Sequence, residues 1–180
     1  MNLLQRRRTL MGKGGEEPVY LYNRGVISDV AGGINNTGYS RNETYNTVTQ
    51  APTYLKITCT STSTASTIRG GRCFTFNNSL PSKYIGKTLH VKYAHKNTSE
   101  SAKDLIIAFI AESVQNGADE ASAYTNYIKK GVYKNQESDF VYGELTLSIT
   151  RTGYVSICGL KADSSSGGIY DIRFYEVWIE

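Results

Sequence analysis

Apolar and polar residues alternate with a period of two along much of this 180-residue chain. "YLKITCT" sets Leu55, Ile57 and Cys59 against Tyr54, Lys56 and Thr58. "TLHVKYAH" sets Leu89, Val91 and Tyr93 against His90, Lys92 and Ala94, and "ELTLSIT" places Leu145, Leu147 and Ile149 on one side. "YVSICG" points Val155 and Ile157 the same way. Successive side chains of a strand point to opposite faces, so each segment predicts a strand with one face on a core. "LIIAFIAE" is apolar at both parities and predicts a central strand covered on both sides. "CFTFN" and "VYLYN" are shorter candidates.

Turn chemistry refines this. In "ELTLSITRTGYVSICGL" two alternating runs flank "TRTG", where Gly153 can take the positive φ of a tight turn, and the unit predicts a β-hairpin. The last segment, "IYDIRFYEVWIE", changes phase: Ile172 and Phe174 share one parity, Val177 and Ile179 the other. A bulge near Tyr175-Glu176 would keep all four on the core side. Helix signals are weak. "GADEASAYTNYIKKG" predicts a loop with at most one helical turn, and the Ser/Thr-rich "TCTSTSTASTIRGGR" an exposed edge hairpin. Many short strands and almost no helix predict an all-β fold. The expected form is an antiparallel two-sheet β-sandwich, a jelly roll, with long connections at 31–45 and 112–123.

Charge divides the chain. Residues 1–13 hold Arg6, Arg7, Arg8 and Lys13 and no acid, while the remainder balances 16 acids with as many bases. This argues against a broad nucleic-acid face and predicts an extended or short helical arm over 1–18, ahead of a sandwich over 19–180. Leu3, Leu4 and Leu10 would supply apolar contact to a partner of that arm. No apolar core follows the arginines, so the start does not read as a secretory signal. The longest apolar run, residues 105–111, is too short to span a membrane. Cys59, Cys73 and Cys158 are too few for a disulfide framework and read as buried free thiols, with one bridge as the alternative.

Chemistry-bearing patterns are sparse. His90 and His95 stand five apart on one candidate strand and face opposite sides; both read as solvent-side residues rather than ligands of one metal. No nucleophile elbow or phosphate loop occurs. Glu112, Asp139, Glu144 and Asp171 are candidate acids for glycoside hydrolysis, but nothing selects a pair, and no enzyme is expected. Fourteen tyrosines against one tryptophan is a heavy bias toward rings that stack and tolerate water. Tyr124, Tyr127 and Tyr133, flanked by Lys129, Lys130 and Lys134, form a candidate glycan or partner platform; ordinary pairing across a sheet is the alternative. Trp178 falls on the outward parity, where it would either face outward or cover the sheet edge beneath the arm. Asp29 and Asp171 could share a calcium ion if the terminal strands pair; no other cofactor is expected.

The start, "NLLQRRRTLMGKGGEEPVYLYNRGVISDVAGG", resembles the beginnings of small structural proteins of tailed bacteriophages and prophages. "LHVKYAHK", "ELTLSITRTGYVSICG" and "GGIYDIRFYEVWIE" resemble the jelly-roll sandwich of carbohydrate-binding modules and galactose-binding-like domains. The first resemblance implies a virion component, made in the bacterial host cytoplasm and present in many copies or as a homo-oligomer. Residues Leu3, Leu4, Arg6, Arg7, Arg8 and Leu10 would dock it to neighbouring capsid or tail proteins. The second implies aromatic recognition of sugar and a common structural calcium. It supplies the alternative function: a carbohydrate-binding module or receptor-binding domain for cell-surface glycans.

Overall fold

The computed structural model describes residues 16–39, 46–59, 71–97, 102–112, 129–134, 138–160 and 170–180. The strands are β1 Val19–Asn23, β2 Val26–Ile27, β3 Ile34–Tyr39, β4 Asn46–Gln50, β5 Leu55–Cys59 and β6 Gly71–Phe76. They continue with β7 Thr88–Asn97, β8 Ala102–Ala111, β9 Lys129–Lys134, β10 Val141–Ser148, β11 Tyr154–Leu160 and β12 Tyr170–Ile179. A 3-10 turn, Ser82–Tyr84, leads into β7. All pairings are antiparallel, and they make two sheets. The larger runs β10-β7-β12-β1-β2, with β5 pairing the first half of β12 and β4 pairing β5. The smaller runs β3-β6-β11-β8-β9. The chain is an antiparallel two-sheet β-sandwich of jelly-roll type.

Alternation decides which side of each strand enters the core. Leu55, Ile57, Leu89, Val91, Leu145 and Leu147 of the larger sheet, with Ile149 just past β10, share one core with Phe74, Phe76, Ile106, Ala108, Ile110, Val155 and Ile157 of the smaller. β8 is buried at both parities, Phe109 included, as its unbroken apolar run predicts. β12 carries the expected bulge: its register against β7 slips between Phe174 and Glu176. The extra residue restores phase, so Ile172, Phe174, Val177 and Ile179 are all at most 1% exposed. Phe174 meets Phe74 of the opposite sheet edge-on, with ring centroids 6.4 Å apart.

Three expectations change. First, β10 and β11 do not form a hairpin: β10 pairs with β7 in the larger sheet, β11 with β6 and β8 in the smaller. The residues between them carry the chain from one layer to the other. Gly153 has the expected positive φ (145°), but its carbonyl accepts from the Leu80 N–H at 2.7 Å, and a Cβ there would sit 2.5 Å from the Ala111 carbonyl oxygen. Second, Cys73 and Cys158 are not free thiols. They lie directly opposite on β6 and β11, with Cα atoms 4.2 Å apart, and form a disulfide. Beside them the Thr75 and Ser156 hydroxyls share a 2.7 Å hydrogen bond, both residues fully buried on the side of the sheet away from β12. Third, the segment 31–45 is not wholly a connection, because it contains β3. The 60–70 tract and most of the 117–131 segment lie outside the described residues.

Candidate functional site

The outward face of the larger sheet is organised in cross-strand rows. Register aligns Thr146, His90, Trp178 and Tyr20 in one row, and Glu144, Lys92, Glu176 and Asn23 in the next. A third aligns Tyr142, Ala94, Arg173 and Lys56. The bulge adds Tyr175 between the second and third rows.

The third row is aromatic because its centre is small. Ala94 faces outward yet is fully buried, and Tyr142 and Tyr175 approach from the strands either side of it. Their ring centroids are 6.3 Å apart and 26° from parallel. Tyr54, just ahead of β5, meets Tyr175 edge-on at 5.8 Å. Tyr142 remains 71% exposed, so most of its ring is open to solvent. The Arg173 guanidinium lies 4.0 Å from the Phe140 ring centre and 5.2 Å from that of Tyr54. Its Nε is 3.5 Å from Asp171 Oδ1, and Lys56 Nζ is 2.9 Å from Asp171 Oδ2. Burial works to lower the Arg173 pKa, but Asp171 and a hydrogen bond to Tyr175 outweigh it, and the value is raised. Burial, with Tyr142 nearby, raises the Tyr175 phenol pKa, so its hydroxyl is neutral at ordinary pH.

The second row is ionic and alternates in sign. Glu144 stands opposite Lys92, Lys92 opposite Glu176, and Arg24 lies at the far end. Glu176, 7% exposed, accepts from Arg24 Nε at 2.9 Å and lies 3.7 Å from Lys92 Nζ. Arg24 itself takes a left-handed backbone (φ 43°) in the β1–β2 turn, and its N–H bonds the Tyr175 carbonyl at 2.9 Å. Together Arg24, Lys92, Tyr93, Tyr142, Gly143, Glu144 and Tyr175 line a cleft of about 520 Å³. Gly143 leaves room there for Tyr93: a Cβ would fall 2.6 Å from the Tyr93 hydroxyl, which would have to move.

The first row is a packed ladder. His90 stacks on Trp178 at 4.7 Å and 11°, and Tyr20 tilts against the other side at 6.1 Å. His90 Nδ1 is 2.6 Å from Glu144 Oε1 and its Nε2 is 3.2 Å from Glu180 Oε1. Trp178 does face outward, as its parity indicates, but it offers an edge rather than a free face. The two histidines do point to opposite sides; His95, however, is fully buried against Tyr93 rather than at the solvent. Its parity puts it on the core side of β7, with Leu89, Val91 and Tyr93.

The residues singled out from sequence lie mostly elsewhere. Leu3, Leu4, Arg6, Arg7, Arg8, Leu10, Tyr124 and Tyr127 are outside the described residues; Tyr133 lies on β9, the edge of the smaller sheet. The terminal strands pair, but β1 covers the second half of β12, whereas Asp171 stands in the first half against β5 and Lys56. Asp29 follows β2, where its carbonyl accepts from Asn78 at 3.1 Å. Among the described residues no group of three or more His, Cys, Asp or Glu is placed to hold a metal ion. Of the candidate acids, Glu112 lies 3.6 Å from Arg151, Asp139 accepts from the Phe140 N–H at 2.7 Å, and Glu144 is engaged by His90. No helix among the described residues is long and apolar enough to cross a membrane.

A scan against protein-family models and a search of curated proteins find no match. Solved structures with similar coordinates include a family 29 carbohydrate-binding module from Piromyces equi, at 14% sequence identity and TM-score 0.46, covering 90% of this chain and 89% of that one. A CBM29-2 mutant complexed with mannohexaose matches at 12% identity and TM-score 0.47, covering 92% of each chain. A further family 29 module matches at 12% identity and TM-score 0.46, covering 89% of this chain and 86% of that one.

Proposed function

We propose that this chain is a non-catalytic glycan-binding module whose ligand lies on the outward face of the larger sheet. The observation that carries the reading is the open Tyr142 ring, continued by Tyr175 and Tyr54 and set beside an ionic row. A sugar presents an apolar C–H face and a rim of hydroxyls. A tyrosine ring matches the first, and charged groups hydrogen-bond the second with greater strength than neutral ones. The strands fix the row, so little freedom is lost when a ligand binds. The virion reading rests on arm residues outside the described part of the chain, and no described contact favours it.

Electrophoresis through gels containing soluble polysaccharides tests the proposal. One or more neutral polysaccharides should retard the parent protein. Tyr142→Ala and Tyr175→Ala should each weaken that binding by about thirtyfold, the effect of truncating a central aromatic anchor worth about 2 kcal/mol. No retardation of the parent, or variants that bind as tightly as the parent, would overturn it.

A further inference from the structure

The glycan reading leaves open what the cleft distinguishes, and the ionic row answers that. Glu144 lines the cleft with its side chain 42% exposed, and a carboxylate has room for about four donors, of which His90 takes one at 2.6 Å. His90 is only 12% exposed and is held by the Trp178 stack, with Glu180 Oε1 3.2 Å from its other nitrogen. A donor locked in this way holds an acceptor in one place. Opposite Glu144, Lys92 is a pure donor, and Arg24 is another across the cleft. Glu144, Lys92, Glu176 and Arg24 carry no net charge together, and the carboxylate of Glu176 already serves both cations.

We infer that Glu144, positioned by His90, is the specificity-determining acceptor of this site, and that the site takes an uncharged sugar with adjacent hydroxyls and rejects acidic sugars. The inference rests on the glycan reading of the same face. One ring hydroxyl donates to Glu144 while its neighbour accepts from Lys92. A uronate carboxylate in that place would meet the fixed negative charge of Glu144, and Lys92 and Arg24 are already matched in charge by Glu144 and Glu176 together.

The test uses the full chain in gels containing neutral glucan, mannan or xylan, or polyuronate. Glu144→Gln should lose roughly tenfold in affinity for the neutral polymer, the size of one charge-assisted hydrogen bond, and should gain retardation by polyuronate. His90→Phe should lose a similar factor. His90→Gln, whose amide can still donate to Glu144, should recover most of it; a residue needed only for packing would show the reverse order. Wild-type affinity in both Glu144→Gln and His90→Phe, or a parent that prefers polyuronate, overturns the inference while Tyr142→Ala still reports on the platform. A parent that no polysaccharide retards overturns both.

Discussion

Two phenols are held neutral by their surroundings, and burial is the first cause for both. Tyr22 is fully buried under the β1–β2 turn, and burial raises its pKa, partly offset by the nearby Gly25 backbone. Tyr175 is raised by burial and by Tyr142 beside it. A tyrosine in the unfolded chain ionises near pH 10. Where the folded pKa lies above that, the unfolded state loses its proton first as pH rises. The stability these groups contribute is therefore complete below about pH 10 and is lost as pH climbs through the folded values. Urea midpoints measured between pH 8 and 11 should be level at first and then fall. Tyr22→Phe should fall less steeply; identical slopes would show that Tyr22 is not held as described.

At the scale of elements, β12 organises the larger sheet: it pairs with β7 along one edge and with β5 and then β1 along the other. In the smaller sheet the Cys73–Cys158 bridge joins strands 85 residues apart in sequence. Closing a loop of that length restricts the unfolded chain, and removing the bridge by the double substitution to alanine should cost about 4 kcal/mol, read as a lower urea midpoint. A loss below about 1 kcal/mol would mean that the sheet holds its register without it. The elements differ in how legible they are. Leu55, Leu89, Leu145 and their partners announce a buried face because burial is what alternation records. The bulge shows in the same signal, as a change of parity across Tyr175-Glu176. The false hairpin has the same origin. Two alternating strands around Gly153 are equally well satisfied within one sheet or across two, and only the partners β7, β6 and β8, distant in sequence, decide. The cysteine pairing is likewise a property of register between β6 and β11 rather than of spacing.

Across the whole molecule the core and the site use opposite parities of the same strands. Leu89, Val91 and Phe174 point inward, while His90, Lys92, Ala94 and Arg173 build the outer face. That face could be found in the sequence only by noticing aromatic residues on the polar side of strands, as at Tyr142, and at the bulge, as at Tyr175. Density of tyrosine points instead to the segment around Tyr124 and Tyr127. The convergence of Tyr54, Tyr142 and Tyr175 needs strand order, because they come from three segments that meet only when β5, β12, β7 and β10 align. The most direct measurement is a nuclear magnetic resonance titration of the labelled chain with an oligosaccharide of the polymer that retards it most. The expected amide shifts cluster at Tyr142–Glu144, Lys92–Ala94 and Arg173–Glu176. Shifts confined to the smaller sheet or to residues 117–134 would contradict the assignment of the site to this face.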